Sequence, residues 1–256
     1  MVVSGLLSGG QPDMQMMRVS QPIEVRQADV KGLRLQPDFG GPVRGKFRLD
    51  TGQKFDWAQF SVFLRPVDED DSGFAVMGGS VPGMSGVSKD GTFELKNIPG
   101  GNYQLVVGAR SDSLRDYITK SVTLDGRDVT DSGFIIGPET SLDIVVSAKG
   151  GTIEGTVVDS KGKPVAYATV VDIPSEERRT RRDLYERDTT DTIGHFSLRG
   201  LNPGKYTVLA FDDLQEDTRQ AEFLKSYEGR GEHVQLDEGA RSSIVLKLIA
   251  IDDESQ

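Results

Sequence analysis

Hydrophobic and polar residues alternate along several short segments of the chain. Phe93 and Leu95 alternate with Thr92 and Glu94, and the same alternation continues over residues 103–107. A period of two residues is typical of a β-strand that buries one face and exposes the other. The pattern therefore predicts short antiparallel strands around a hydrophobic core.

This alternating segment recurs later in the chain. Residues 90–105 and 193–208, which lie 103 positions apart, share Gly, Phe, Leu, an aliphatic residue, a second Gly and Tyr at corresponding positions. Residues 43–52 likewise resemble residues 153–162, and both segments indicate a first strand followed by a hairpin turn. Because self-similarity at a fixed spacing marks repeated units, the sequence predicts two small β-domains in tandem.

A third, partial copy is visible near the start, since residues 25–33 parallel residues 122–129. We therefore expect the closing strands of an incomplete preceding repeat within residues 20–39, and a chain that is a piece of a longer array. The predicted organisation is a partly disordered start with those closing strands at 1–39, a first sandwich at 40–149, a second sandwich at 150–250 and a tail at 251–256.

Four aromatic residues are the predicted anchors of the two cores. Phe93 and Phe196 occupy the inward positions of corresponding strands. Tyr103 and Tyr206 follow the turn glycines by two residues, and we expect each ring to be buried with its hydroxyl on a backbone group, as in the tyrosine corners of sandwiches. Their occurrence in both copies favours a structural role over a catalytic one.

The second repeat resembles a known family. Its residues 155–159 read Gly-Thr-Val-Val-Asp, residues 162–170 read Gly-Lys-Pro-Val-Ala-Tyr-Ala-Thr-Val, and a Gly-His-Phe to Gly-Lys-Tyr run follows at 194–206. This pattern is similar to the carboxypeptidase regulatory-like domain. The first repeat departs from it at 52–58, where the Gly-x-Pro-Val run is missing, and carries a longer insert at 68–88.

The resemblance implies an all-β fold of tandem seven-stranded Ig-like or transthyretin-like β-sandwiches, grouped by fold with starch-binding-like modules. It also implies an accessory role without peptidase activity. Thirty glycines and eleven prolines agree with many short elements joined by tight turns.

Composition excludes several classes of function. The net charge of -10 argues against nucleic acid as a partner, because phosphate binding needs clustered Lys and Arg. The absence of cysteine excludes disulfides and thiolate metal sites. No run of 18 apolar residues occurs, so we expect no membrane insertion in this chain. The start lacks the features of a signal peptide, and an export signal is expected outside this chain.

A search for catalytic groups finds little. The chain has two histidines, His195 and His233, which excludes a three-histidine zinc site, and we expect both to be exposed strand residues. No Walker loop, Gly-x-Ser-x-Gly elbow or His-Glu-x-x-His motif occurs. The acidic cluster 68–71 could gather calcium, but it lacks the spacing of a known calcium loop, which favours a solvated loop tip. We predict no enzymatic activity and no cofactor.

An arginine-rich segment, residues 176–188, is the most unusual local feature. Such mixed-charge runs are usually solvated, mobile loops. The alternative is that the segment docks onto an acidic partner or an adjacent domain, with Tyr185 as an anchor. The candidate contact residues in it are Arg178, Arg179, Arg181, Arg182 and Tyr185.

Trp57 is the only tryptophan and a candidate platform for a sugar, although a tryptophan in such a hairpin is more often a partly buried packing residue. Other possible surface aromatics form no visible pair or stripe, and they are Tyr117, Tyr167, Tyr185 and Tyr227. The leading prediction is a non-catalytic β-sandwich module of a bacterial surface or secreted protein, which acts as a spacer or a binding domain. The alternative is a carbohydrate-binding module. We expect an extracellular or cell-envelope location, adjoining domains of a longer protein, and a protein or polysaccharide of the cell surface as partner.

Overall fold

The computed structural model describes residues 2–7, 17–22, 41–67, 84–96, 98, 100–212 and 226–250. Near the start, strands β1 (Val2–Leu7) and β2 (Met17–Pro22) form an antiparallel hairpin. The predicted closing strand at 25–33, the acidic cluster 68–71 and the tail 251–256 lie outside the described residues.

The first unit is a two-layer sandwich, and its described residues form nine strands. They are β3 (Val43–Leu49), β4 (Phe60–Pro66), β5 (Met84–Gly86), β6 (Thr92–Leu95), β7 (Asn102–Ala109), β8 (Ile118–Leu124), β9 (Arg127–Asp128), β10 (Phe134–Ile135) and β11 (Thr140–Ser147). One sheet has the order β10-β7-β4-β5 and the other has the order β6-β3-β11-β8-β9.

In the second unit, the part of the chain that the structure describes forms seven strands. They are β12 (Gly151–Val158), β13 (Thr169–Pro174), β14 (Arg187–Thr189), β15 (His195–Leu201), β16 (Gly204–Phe211), β17 (Glu232–Leu236) and β18 (Arg241–Ile249). Its strands are hydrogen-bonded in the order β14-β13-β16-β18-β12-β15. Strand β17 also pairs with β16, along residues 204–208. Strands β16 and β18 pair only through Ala210 and Phe211, so this short contact joins the two layers at one edge. The prediction of an all-β sandwich fold is confirmed.

The two units share a pairing pattern. In each unit the first strand lies between an antiparallel strand and the last strand, which runs parallel to it. A glycine in the first strand opposes a core phenylalanine in both units, Gly45 facing Phe93 and Gly155 facing Phe196. The absence of a side chain at these glycines leaves room for the aromatic rings.

The predicted core residues are buried. Phe93 is 6% exposed and Phe196 is 1% exposed, each within the main hydrophobic cluster of its unit. The ring of Tyr206 is also buried, and its hydroxyl donates a 2.7 Å hydrogen bond to the carbonyl of Asn202. Burial raises the pKa of Tyr206 far above its usual value. The predicted tyrosine-corner contact is therefore confirmed for Tyr206.

Carboxylates occupy the outer edge of β15. Asp191 Oδ1 accepts a hydrogen bond from the backbone N–H of His195 at 2.9 Å, and Asp188 Oδ2 accepts one from Ser197 at 2.7 Å. The backbone hydrogen bond from His195 lowers the pKa of Asp191, so this carboxylate stays charged. The side chains of His195 and His233 are exposed, as predicted. None of the helices within the described ranges has the length and apolar character needed to cross a membrane.

Candidate functional site

The arginine-rich segment folds against the first unit. It leaves β13 at Pro174 and forms two single-turn 3-10 helices, Glu176–Arg178 and Arg182–Leu184. Backbone hydrogen bonds from Ser175 to the Lys205 carbonyl and from Arg181 to the Arg178 carbonyl fix its path. The segment is therefore held at the end of the second unit that faces the first.

Arg181 is the central residue of the contact. Its side chain is 2% exposed, and its Nη1 donates to the Thr130 carbonyl at 2.8 Å and to Asp131 Oδ1 at 2.7 Å, both in the first unit. Its Nε and Nη2 donate to the two carboxylate oxygens of Asp183 at 2.9 and 2.7 Å. This forked geometry is specific to a guanidinium group. The interpretation as a solvated loop is therefore wrong for Arg181.

The charge of Arg181 is balanced within the contact. Burial opposes its protonation, but the hydrogen bond and the charge of Asp183, together with Asp131, raise the pKa of Arg181. Arg178 reinforces the arrangement, because its Nη1 donates to the Pro203 carbonyl at 2.9 Å and its Nε lies 3.4 Å from Asp131 Oδ1. Two arginines of the second unit therefore converge on one aspartate of the first.

The other candidate residues of the segment lie elsewhere. Arg179 forms an ion pair with Glu228, within the second unit. The Tyr185 hydroxyl donates to the Arg179 carbonyl at 3.2 Å, and burial raises the pKa of Tyr185. Its ring packs against the outer cluster of the second unit, so it anchors the loop to its own unit. Arg182 is half-buried in the second 3-10 helix.

Trp57 lies in the core of the first unit and not on its surface. The indole is 3% exposed, and its ring centroid lies 5.3 Å from that of Phe47, 4.9 Å from that of Phe55 and 5.4 Å from that of Phe60. An aromatic platform for a sugar needs an exposed ring face. The suggestion of Trp57 as a ligand contact is therefore corrected to a packing role.

We call the contact between the units the junction. It contains residues 115–120, 130–131 and 147–150 from the first unit side and residues 178–186, 199–202 and 238–239 from the second.

Several residues of the junction were not identified from the sequence. Lys120 Nζ donates to Glu238 Oε2 at 2.9 Å, and the Ser147 hydroxyl donates to Glu238 Oε1 at 2.9 Å. Arg199 Nη2 donates to Asp116 Oδ2 at 2.8 Å. No local sequence motif identifies these residues as contacts, because their partners lie far away in the sequence.

Backbone contacts bring the two units close together. The N–H of Gly150 donates to the Asp116 carbonyl at 2.8 Å, and the side-chain amide of Asn202 donates to the Thr119 carbonyl at 2.8 Å. Gly200 has a φ of +73°, and a Cβ atom there would lie 2.1 Å from the Arg115 carbonyl oxygen. Glycine at this position therefore permits both the turn and the close approach of the first unit.

A cleft of about 330 Å³ lies at the junction. Its first-unit wall includes Phe60 and Arg115, and its second-unit wall includes Asp183 and Glu186. Burial raises the pKa of Glu186, while Arg115, whose Nη2 lies 3.5 Å from Glu186 Oε2, opposes that rise. The charged groups named here are thus paired, Asp183 with Arg181 and Glu186 with Arg115. The Glu186–Arg115 pair links the two units across this cleft.

Asp172 supports the arginine-rich segment from inside the second unit. Its side chain is 0% exposed, and its Oδ1 accepts a hydrogen bond from the backbone N–H of Glu186 at 2.6 Å. Burial raises the pKa of Asp172 well above its ordinary value. Because the backbone N–H of Asp172 also donates to the Glu186 carbonyl, Glu186 is fixed opposite Arg115.

The link between Lys120 and Glu238 predicts a pH-dependent contribution to stability. Hydrogen bonds from Lys120 and Ser147 lower the pKa of Glu238 from its ordinary 4.5. A carboxylate with a lowered folded-state pKa stabilises the fold above its unfolded pKa, and this contribution disappears as the pH falls through the folded value. We expect Glu238→Gln to lower the thermal stability at neutral pH and the difference from wild type to vanish in acid, measured by calorimetry across the pH range.

Glu139→Gln is the matched control, because Glu139 is exposed in the loop before β11 and lies outside the junction. It should match wild type at every pH. A Glu238→Gln difference that persists below the pKa of Glu238 would contradict the proposed origin of the effect.

The fold and the junction define an all-β protein whose two sandwich units are joined by polar contacts, among them those of the buried Arg181. Within the described residues, no group of three or more His, Cys, Asp or Glu side chains could hold a metal ion. One family model matches the second unit. Residues 152–248 match the carboxypeptidase regulatory-like domain, which confirms the resemblance predicted for the second unit.

The solved structures to which this chain is similar include several pilins. A streptococcal ancillary pilin is 14% identical in sequence and has a TM-score of 0.31. The match covers 94% of this chain and 73% of the pilin chain. The minor pilin GBS52 of Streptococcus agalactiae is 12% identical in sequence and has a TM-score of 0.32. The match covers 84% of this chain and 99% of the pilin chain. The major pilin BcpA of Bacillus cereus is 9% identical in sequence and has a TM-score of 0.28. The match covers 81% of this chain and 98% of the pilin chain. No curated protein sequence matches the chain.

Proposed function

We propose that this chain is a non-catalytic module of a bacterial surface or secreted protein, and that it acts as a spacer holding two β-sandwich units in a fixed relative orientation. The observation that carries the proposal is Arg181. If the two units moved freely, a side chain between them would lose its partners in the other unit each time the units separated. Here the guanidinium is 2% exposed and is bonded to both units.

The distribution of contacts supports the same function. Arg181 and Arg178 meet Asp131 on one side of the junction, while Lys120 meets Glu238 near the linker. Contacts at several separate points resist bending in more than one direction. The chain between the units is also short, since β11 ends at Ser147 and β12 begins at Gly151. A spacer of this kind would present an adjoining domain at a defined distance and angle.

The spacer function predicts a single, narrow distance between the two units. Because the chain has no cysteine, Lys46→Cys and Lys163→Cys supply unique attachment points for spin labels on exposed positions of the two units. Pulsed dipolar EPR should give one narrow distance distribution. Arg181→Met should broaden it, because the loop then loses its hydrogen bonds to Thr130 and Asp131.

The control is Arg241→Met in the same labelled chain. Arg241 pairs with Glu154 inside the second unit, and its side chain is 67% exposed, so this loss should leave the distance unchanged. A wild-type distribution as broad as that of Arg181→Met would overturn the spacer proposal. Circular dichroism of each variant establishes that both units remain folded.

A further inference from the structure

The chain enters and leaves each unit on neighbouring strands that run in the same direction. In the first unit β3 and β11 are parallel and pair through seven residues, from Val43 opposite Thr140 to Leu49 opposite Val146. In the second unit β12 and β18 are parallel and also pair through seven residues, from Thr152 opposite Arg241 to Val158 opposite Lys247. The entry point and the exit point of each unit therefore lie at opposite ends of one strand pair.

This geometry determines how the units respond to tension. A force that pulls the first strand backwards and the last strand forwards acts along the strands, and it strains all the hydrogen bonds between them at once. A force applied across the strands breaks the same bonds one after another. Bonds between parallel strands are evenly spaced along the pair, so a lengthwise force is distributed over all of them. The topology of both units is therefore the one that resists lengthwise separation.

Both strands of each pair are also held from their other sides. In the first unit β3 pairs with β6 and β11 pairs with β8. In the second unit β12 pairs with β15, and the end of β18 pairs with β16. A terminal strand that is bonded on two sides cannot peel away from an exposed edge.

Glycines bring the paired strands together at corresponding points. Gly45 opposes Leu142, and Gly155 opposes Ile244. A Cβ atom would lie 2.9 Å from the Leu142 carbonyl oxygen in the first unit and 1.8 Å from the Ile244 carbonyl oxygen in the second. The close approach at Gly45 and Gly155 keeps each strand pair in tight contact at its middle.

We propose that the chain resists mechanical tension, with the pairs β3–β11 and β12–β18 as the two elements that bear the force in series. This proposal rests on the spacer function and adds a physical demand to it. Tension that enters at β3 passes through the β3–β11 pair into the linker 148–150 and then into the β12–β18 pair. The proposal therefore requires an adjoining partner that pulls on the two ends of the module in opposite directions.

Single-molecule force spectroscopy on the full chain tests the proposal with two attachment geometries. Pro42→Cys combined with Ala148→Cys places the handles at opposite ends of the β3–β11 pair. Pro42→Cys combined with Glu139→Cys places them at the same end, so that the strands are pulled apart sideways. The chain has no other cysteine, and the two double variants share one attachment point.

We expect the first unit to unfold at a force several times higher in the opposite-end geometry than in the same-end geometry at one pulling speed. Thermal unfolding of both double variants should match that of wild type, which establishes that the comparison concerns direction and not stability. Equal unfolding forces in the two geometries would overturn the proposal. That outcome is separate from the EPR test, because a rigid junction can join two mechanically weak units.

Discussion

Replacing Phe196 with alanine should lower the free energy of unfolding of the second unit by about 3–5 kcal/mol. The ring is 1% exposed and belongs to the main cluster of that unit. It packs over Gly155, which has no side chain that could fill the space left behind. Since a domain is stable by only about 5–15 kcal/mol, the substitution removes a large share of the total. Calorimetry should show the transition of the second unit strongly shifted or lost.

Ile193→Ala is the matched control for this substitution. Ile193 lies three residues earlier in the same unit and is 70% exposed, so its truncation should change stability by no more than about 0.5 kcal/mol. The corresponding substitution in the first unit, Phe93→Ala, should affect the first transition instead. A second-unit transition that is unchanged by Phe196→Ala would contradict the assigned core.

Adding a single methyl group at Gly155 should be nearly as damaging. A Cβ atom there would lie 1.8 Å from the Ile244 carbonyl oxygen and 3.1 Å from the ring of Phe196. Overpacking of a core costs about 1–3 kcal/mol where side chains can move, and occasionally more. The obstacle here is the backbone of β18, so we expect Gly155→Ala to cost about 3 kcal/mol or more, measured by denaturant unfolding.

Gly229→Ala provides the comparison, because a Cβ atom at Gly229 would meet nothing within 4 Å. This variant should unfold like wild type within about 0.5 kcal/mol. If Gly155→Ala were equally neutral, the parallel contact between β12 and β18 would have to be looser than the structure indicates. The two glycine variants thus separate a steric effect from the general effect of removing glycine.

The strands and the core could be predicted because their signals are local. Alternation at Phe93 and Phe196 identifies both the strand and its buried face, since neighbouring side chains of a strand point to opposite sides. Tyr206 was recognised because a turn glycine and a tyrosine at fixed spacing determine a short-range hydrogen bond. These features need no knowledge of how distant parts of the chain meet.

The junction could not be predicted in detail because its partners are distant in sequence. Lys120 and Glu238 are 118 positions apart, and Arg181 and Asp131 are 50 apart. The sequence marked the arginine-rich segment as a whole and offered docking to an adjacent domain as one alternative. It could not distinguish the buried Arg181 from the half-buried Arg182, since the two are the same residue type in adjacent positions.

The carboxylates along β15 have a consequence for the behaviour of many copies held close together. An open strand edge offers unused backbone N–H groups on which a strand of another molecule can build. On β15 the N–H groups of His195 and Ser197 are already bonded to Asp191 and Asp188. A foreign strand would have to displace two carboxylate groups before it could bond to either of these N–H groups. Crowded copies of this chain are thereby kept from merging their sheets along this edge.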